Sequence, residues 1–231
     1  IKVRRPSSWL TLPDPKHAQA VFDILGYSEE HAPGRDVKTP GVTRAGGVEE
    51  PEELDDRTAS LYRSAAGSGI YLASDVEPIT FAVKELARGL AKPNAEHWDD
   101  LARLGRWLWQ HKDYLTENAV DEQTIAAYRA GETLTIRCKH DSDWASSTVD
   151  RRSTTGIRVT IGGFKIAHSS GTQPGLAALS SAEAELRGMS KACCNAIFIR
   201  YVARELLLET QVVLEGDSTA AMANAAKLGP G

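Results

Sequence analysis

Long apolar runs are missing from this sequence. No stretch approaches the roughly eighteen consecutive apolar residues of a membrane-spanning helix. The opening Ile1-Lys2-Val3-Arg4-Arg5 has no apolar core of the signal-peptide kind. Both observations point to an intracellular chain without a membrane segment, and nothing separates cytoplasm from nucleus. Cysteine is scarce: Cys138, Cys193 and Cys194 form no paired framework, and the adjacent Cys193 and Cys194 do not pair easily inside a helical pattern. They read as buried free thiols, and no Cys/His spacing resembles a zinc site. A basic excess is missing too. The formal net charge of −4 gives no support to a nucleic-acid-coating protein, although it does not exclude a nucleic-acid role. There is no initiator methionine, and the last residues stop straight after an apolar-periodic segment. Both ends therefore read as cuts in a longer polypeptide.

What is present is enough for one large domain or two small ones, since 231 residues can bury real cores. Residues 1–60 are loosely patterned. Ala18, Val21, Phe22 and Leu25 predict a short helix ended by Gly26. Residues 49–56 carry six acids and no base and read as a solvated linker. Helical spacing follows. Leu61, Ala65, Ala66, Ile70 and Leu72 give one segment, interrupted by Gly67 and Gly69. Phe81, Val83, Leu86, Ala87 and Leu90 give a second, closed by Pro93. Trp98, Leu101, Leu104, Leu108 and Trp109 give a third. The aromatics suit packing between helices, so residues 1–115 form a small, mostly helical module. Residues 116–132 connect it to the rest.

The character changes over residues 133–231. Leu134, Ile136 and Cys138 alternate with Thr135, Arg137 and Lys139, the pattern of a half-buried strand. Two more strands, 156–161 and 164–169, flank Gly162-Gly163, a hairpin turn. Ser180 and Glu183 have capping-box spacing. The helix they open carries an apolar stripe through Ala182, Leu186, Met189, Cys193, Ala196 and Ile197, as far as Leu208. Residues 211–214 read as a strand ending at Gly216-Asp217, and Ser218 caps a last helix. A hairpin unit followed by a helical crossover implies an α/β fold with a mixed sheet.

The crossover makes the first and last strands parallel neighbours, with Asp141 and Asp217 at the same sheet edge, where open α/β sheets place their sites. Glu185, in the first turns of the long helix, leans over that edge. Clustered carboxylates repel unless cations sit between them, and oxygen ligands suit magnesium or manganese. Two such ions about 4 Å apart assist phosphodiester hydrolysis. The alternative stays open that these are unrelated surface acids, with Glu183 and Glu185 serving the helix N-terminus.

Asp141-Ser142-Asp143-Trp144-Ala145, Asp150-Arg151-Arg152-Ser153-Thr154-Thr155-Gly156 and Ala178-Leu179-Ser180-Ser181-Ala182-Glu183-Ala184-Glu185 resemble the ribonuclease H domain of copia-type retrotransposon polyproteins. That family reads approximately DADWA, DRRSTSG, ALSSTEAEY and DN. Lys38-Thr39-Pro40, the run from Tyr62 to Ala73, Phe81-Ala82-Val83, Pro93 and His97-Trp98 resemble the segment joining that family's reverse transcriptase to its ribonuclease H. The resemblance covers most of residues 36–227, in order. It implies a ribonuclease H-like mixed sheet preceded by a small helical module. The implied catalytic, metal-binding residues are Asp141, Glu185 and Asp217, holding two Mg2+ or Mn2+ ions. The implied partners are an RNA–DNA hybrid and an upstream reverse transcriptase of the same polyprotein. Asp143 and Glu183 read as supporting residues. Asp150 suits a turn, while Arg151 and Arg152 are candidate phosphate contacts. His140 reads as partly exposed and idle.

Departures from the family matter. The polymerase's YxDD motif is absent and is expected upstream of residue 1, while the fourth acidic residue is expected beyond Gly231. Where the family carries a Trp and several lysines, this chain has Ile166-Ala167-His168-Ser169-Ser170-Gly171-Thr172, and it also departs over 74–78. Two functions follow. One is hydrolysis of the RNA strand of hybrids. The other is a catalytically inactive retroelement relic with a structural or nucleic-acid-binding role. Transposases and integrases that cluster Asp, Asp and Glu place the Glu last, whereas here it is second.

Overall fold

The computed structural model describes residues 2–5, 8–43, 51–147 and 150–227, and of residues 224 and 226 the backbone alone. Two compact units divide the chain, Ile1–Arg4 with Leu10–Glu117 and Arg5–Trp9 with Asn118–Gly231. Strands β1 (Lys2–Arg4), β2 (Ser8–Thr11) and β3 (Thr116–Ala119) form a three-stranded sheet in that order.

The first unit is mostly helical. Helix α1 (Pro15–Leu25) starts with Asp14 accepting from the Lys16 N–H and ends on Gly26 at φ +70°. Helix α2 (Asp56–Ala73) runs unbroken, so Gly67 and Gly69 do not interrupt it as the sequence pattern predicts. Gly69 faces the core, where a Cβ would stand 3.3 Å from Val83. After a 3-10 turn at Glu77–Ile79 come α3 (Thr80–Arg88) and α4 (Ala95–Gln110), the latter opened by a capping box of Asn94 and His97. Val21, Tyr62, Ile79, Leu86, Leu101 and Leu104 fill the core. Buried Tyr62 satisfies its hydroxyl by donating to the Leu86 carbonyl at 2.6 Å.

The described acids of the run, Glu52, Glu53, Asp55 and Asp56, are exposed as expected, but the stretch is not a plain linker. Glu49 and Glu50 lie outside the described residues. Glu53 bridges Asn94, and the Leu54 N–H donates to Pro93. Asp55 accepts from the Arg57 and Thr58 N–H groups to cap α2. Backbone pairing and capping turn this acidic stretch into structure. Residues 116–132 hold β3 and α5 (Glu122–Arg129), the latter capped by Asp121.

The second unit is a mixed α/β layer. Strands β4 (Leu134–Asp143), β5 (Thr154–Ile161), β6 (Phe164–Thr172) and β7 (Thr210–Glu215) form one sheet in the order β6-β5-β4-β7. β4 pairs antiparallel with β5 and parallel with β7. The β5–β6 turn places Gly162 at φ +55° and Gly163 at φ +82°, the conformation that two-residue hairpins favour and side chains resist.

Helix α6 (Ser181–Glu205) covers one sheet face and α7 (Thr219–Lys227) follows β7. The buried positions of α6 are Ala184, Glu185, Gly188, Ala192, Ala196 and Ala203. This corrects the predicted stripe, of which Ala196 alone is buried and Ile197 is exposed. The reason is close approach: a Cβ on Gly188 would overlap Ser142 Oγ and stand 3.2 Å from Thr155. Small residues therefore face the sheet, where Ala192 and Ala196 pack on Ile136, Cys138, Ile157 and Val159. The helix ends at Glu205 rather than Leu208, with Leu207 at φ +58°. The expectation of three buried thiols also needs correcting, because Cys138 is buried, Cys193 is half-buried and Cys194 is exposed. Burial pushes the Cys138 thiol up to about 11, with Cys193 adding to the effect.

Candidate functional site

Strand alternation sets the site. Along β4, Ile136, Cys138, His140 and Ser142 are buried while Lys139, Asp141 and Asp143 are exposed. The parallel register pairs Lys139 with Glu215. Asp141 lies two residues further along β4 and Asp217 two residues beyond the end of β7, so the crossover brings them to one edge. Glu185 comes from the second turn of α6. One carboxylate oxygen from each of Asp141, Glu185 and Asp217 lies within 4.8 Å of the other two.

The three do not share an environment. Asp141 and Asp217 are exposed, whereas Glu185 is buried. Its Oε1 accepts from the Ser142 N–H at 2.9 Å. Burial raises the Glu185 pKa above the ordinary glutamate value. The Ser142 N–H opposes this, Asp141 adds to it, His140 opposes it and Asp217 adds to it, in falling order. Glu185 Oε2 is buried with no hydrogen-bond partner. A buried acceptor left unpaired costs about 1–3 kcal/mol, and more when charged. An oxygen-ligated divalent cation would satisfy it and screen the three carboxylates from one another. On that ground the residues fit Mg2+ or Mn2+.

Supporting groups fix the Glu185 end. Ser142 Oγ and Thr155 Oγ1 lie 3.0 Å apart, and Gln173 Nε2 donates to Thr155 Oγ1 at 2.9 Å and to the Ala184 carbonyl at 2.7 Å. This polar network ties β4, β5 and the start of α6 together. Gln173 sits in the loop before α6, and no sequence signal pointed to it. Ser142, by contrast, shares parity with Ile136 and Cys138, a signal that could have found it.

The remaining predicted residues sit apart from the cluster or beside it. Asp143 accepts from the Thr154 N–H at 2.5 Å and pins β4 to β5. Ser180 accepts from the Glu183 N–H, and Glu183 reaches back to the Leu179 N–H at 2.8 Å and to Arg187 at 2.6 Å. The Leu179 N–H is the main cause of its lowered pKa. Asp150 accepts from both the Arg152 N–H and Arg152 Nε, the latter at 2.6 Å, which closes the turn. Arg152 is thus engaged inside the turn, while Arg151 is exposed at φ +55°. His140 corrects the expectation of a partly exposed side chain. It is 5% exposed, because its parity turns it toward α6.

No family model matches the chain, and no solved structure gives a significant match. Curated relatives do. The retrovirus-related Pol polyprotein from transposon RE2 of Arabidopsis thaliana is 30% identical over 168 residues, 73% of this chain and 10% of that protein. The corresponding polyprotein from transposon RE1 is 32% identical over 148 residues, 63% of this chain and 9% of that protein. The secreted RxLR effector protein 161 of Plasmopara viticola is 32% identical over 139 residues, 60% of this chain and 90% of that protein. The chain therefore spans about a tenth of the length of the two transposon polyproteins it matches. These similarities make the chain a counterpart of one region of retrovirus-related transposon Pol polyproteins.

Proposed function

We propose that the sheet unit is a ribonuclease H module that hydrolyses the RNA strand of RNA–DNA hybrids, with Asp141, Glu185 and Asp217 holding two Mg2+ or Mn2+ ions. The observation that carries this reading is the convergence of three carboxylates from β4, α6 and the end of β7, with a buried, unpartnered oxygen among them. When bound, the ions supply activation of the attacking water and stabilisation of the leaving oxygen. The chain's own residues do the rest. The Ser142 N–H fixes Glu185, and exposed Asp141 and Asp217 leave the edge open to a phosphodiester. Exposed Arg151 is available to a phosphate, while Arg152 keeps its turn closed. An upstream reverse-transcriptase region of the same polyprotein would deliver the hybrid, in keeping with the Pol relatives.

Cleavage of a hybrid labelled in its RNA strand tests this in the 231-residue chain. Asp217→Asn should slow cleavage by about a hundredfold or more, as removal of one transition-state stabiliser does. Cleavage at the parent rate would sink the assignment.

A second reading is a non-catalytic relic that keeps the fold for structure or nucleic-acid binding. Its support is that the chain covers nine-tenths of a protein whose printed role is that of a secreted effector, and that the lysines of the family pattern are missing before α6. Calorimetric Mn2+ titration separates the two. Uptake that Asp217→Asn abolishes supports the enzyme, and no uptake by the parent supports the relic.

A further inference from the structure

The buried histidine beside the carboxylates is unused by the reading above. His140 projects from β4 toward α6, with its side chain 1% exposed and Nδ1 3.6 Å from Glu185 Oε2. Both ring nitrogens are buried without a hydrogen-bond partner, as is that Glu185 oxygen. The other side of the ring meets Gly216, where a Cβ would lie 2.7 Å from His140 Cε1 and Nε2. The imidazole is therefore wedged between the Glu185 carboxylate and the backbone directly before Asp217.

As a space-filler this residue is a poor choice. A leucine fills comparable volume, whereas a buried nitrogen without a partner is destabilising. The gain must come from the group it faces. We propose that His140 is a positioning residue for Glu185, its Nδ1–H donating to Oε2 while the Ser142 N–H holds Oε1. This deepens the metal-dependent nuclease reading and rests on it. The present 3.6 Å separation exceeds the 2.7–3.2 Å of an N–H···O bond, and a shift of about half an ångström closes it. A carboxylate oxygen has two lone pairs, so Oε2 can take this bond and still face a cation. Hydrogen bonds from the surrounding shell fix the orientation of carboxylate ligands and are worth about 10–100-fold in metal affinity. Gly216 leaves room for the ring, so the backbone leading to Asp217 and the Glu185 carboxylate are spaced by the same side chain.

Two measurements on the 231-residue chain test the proposal. In metal-free protein, nitrogen-15 spectra of the His140 ring should show the Nδ1–H tautomer, with a resonance that moves in Glu185→Gln. An Nε2–H tautomer, with a bare Nδ1 toward the carboxylate, would overturn the contact. In Mn2+ titrations His140→Leu should bind about 10–100-fold more weakly. His140→Asn, whose amide nitrogen reaches the Nδ1 position, should recover most of the loss. Equal affinity for the Leu and Asn variants would show a packing role instead. Should the parent take up no Mn2+, the nuclease reading falls and the metal-holding role with it, while the tautomer alone decides the His140–Glu185 contact.

Discussion

Glu183 and Glu185 stand two positions apart on α6 and are driven in opposite directions. Glu183 faces solvent, and the Leu179 N–H and Arg187 hold its carboxyl below the ordinary value. Glu185 is buried against β4, and desolvation holds it above that value. The folded protein therefore binds the Glu185 proton more tightly than the unfolded chain does. The stability this group contributes is complete below the ordinary glutamate pKa and is lost as pH rises through the raised folded one. Glu185→Gln abolishes the ionisation. Without divalent ions the variant should melt higher than the parent at neutral pH, and the two should converge in acid. Thermal melts from about pH 4 to about pH 8 check this. Adding Mn2+ should raise the parent's melting temperature and not the variant's, since only a bound ligand shifts the equilibrium. A parent that melts higher than the variant without metal would count against the buried charge.

At this scale the sequence was only partly informative. Alternation along β4 was read correctly for Leu134, Ile136 and Cys138, and the same parity carried two residues further falls on His140, which is buried. Treating His140 as a strand-end residue overlooked its parity. The choice between Glu183 and Glu185 needed the true buried face of α6. That face was hidden because it consists of alanines and a glycine, which carry little hydrophobic signal, while the larger apolar residues lie to its side or face solvent.

Elements show the same effect as close approach. α6 can lie near β4 because position 188 has no side chain to meet Ser142 and Thr155. Gly188→Ala must move the helix or disrupt the pair formed by the Ser142 and Thr155 hydroxyls. Overpacking of this kind costs about 1–3 kcal/mol, which a shift of the urea midpoint measures. Position 188 lies one turn beyond Glu185, so Mn2+ affinity should fall as well. An unchanged midpoint would mean that the helix yields easily. By contrast, the Gly162-Gly163 hairpin and the Ser180–Glu183 cap were legible, because each depends on a few adjacent residues whose backbone demands are local. The capping of α2 by Asp55 was not, since a run of acids looks alike whether its members solvate a linker or cap a helix.

Among the described residues of the whole molecule there are two hydrophobic cores, one among helices and one between α6 and the sheet. Three of its five tryptophans, Trp98, Trp107 and Trp109, belong to the helical core or pack on it. Tryptophan fluorescence therefore reports mainly on that unit. Leu104→Ala empties a fully buried site and should cost about 2–5 kcal/mol, seen as an earlier fluorescence transition in urea. Mn2+ affinity should not change, because Leu104 has no part in the carboxylate cluster. Among the described residues no helix is long and apolar enough to cross a membrane.

The strand order also places the two aspartates on or just beyond unequally paired strands. β4, which carries Asp141, is bonded to a neighbour on both sides. β7, which leads to Asp217, lies at the end of the sheet order with β4 as its one neighbour among the described residues. Outer strands open locally at lower free energy than central ones. Amide exchange over β7 should therefore run faster than over β4 in this chain, and equal protection of the two strands would show Asp217 held as firmly as Asp141.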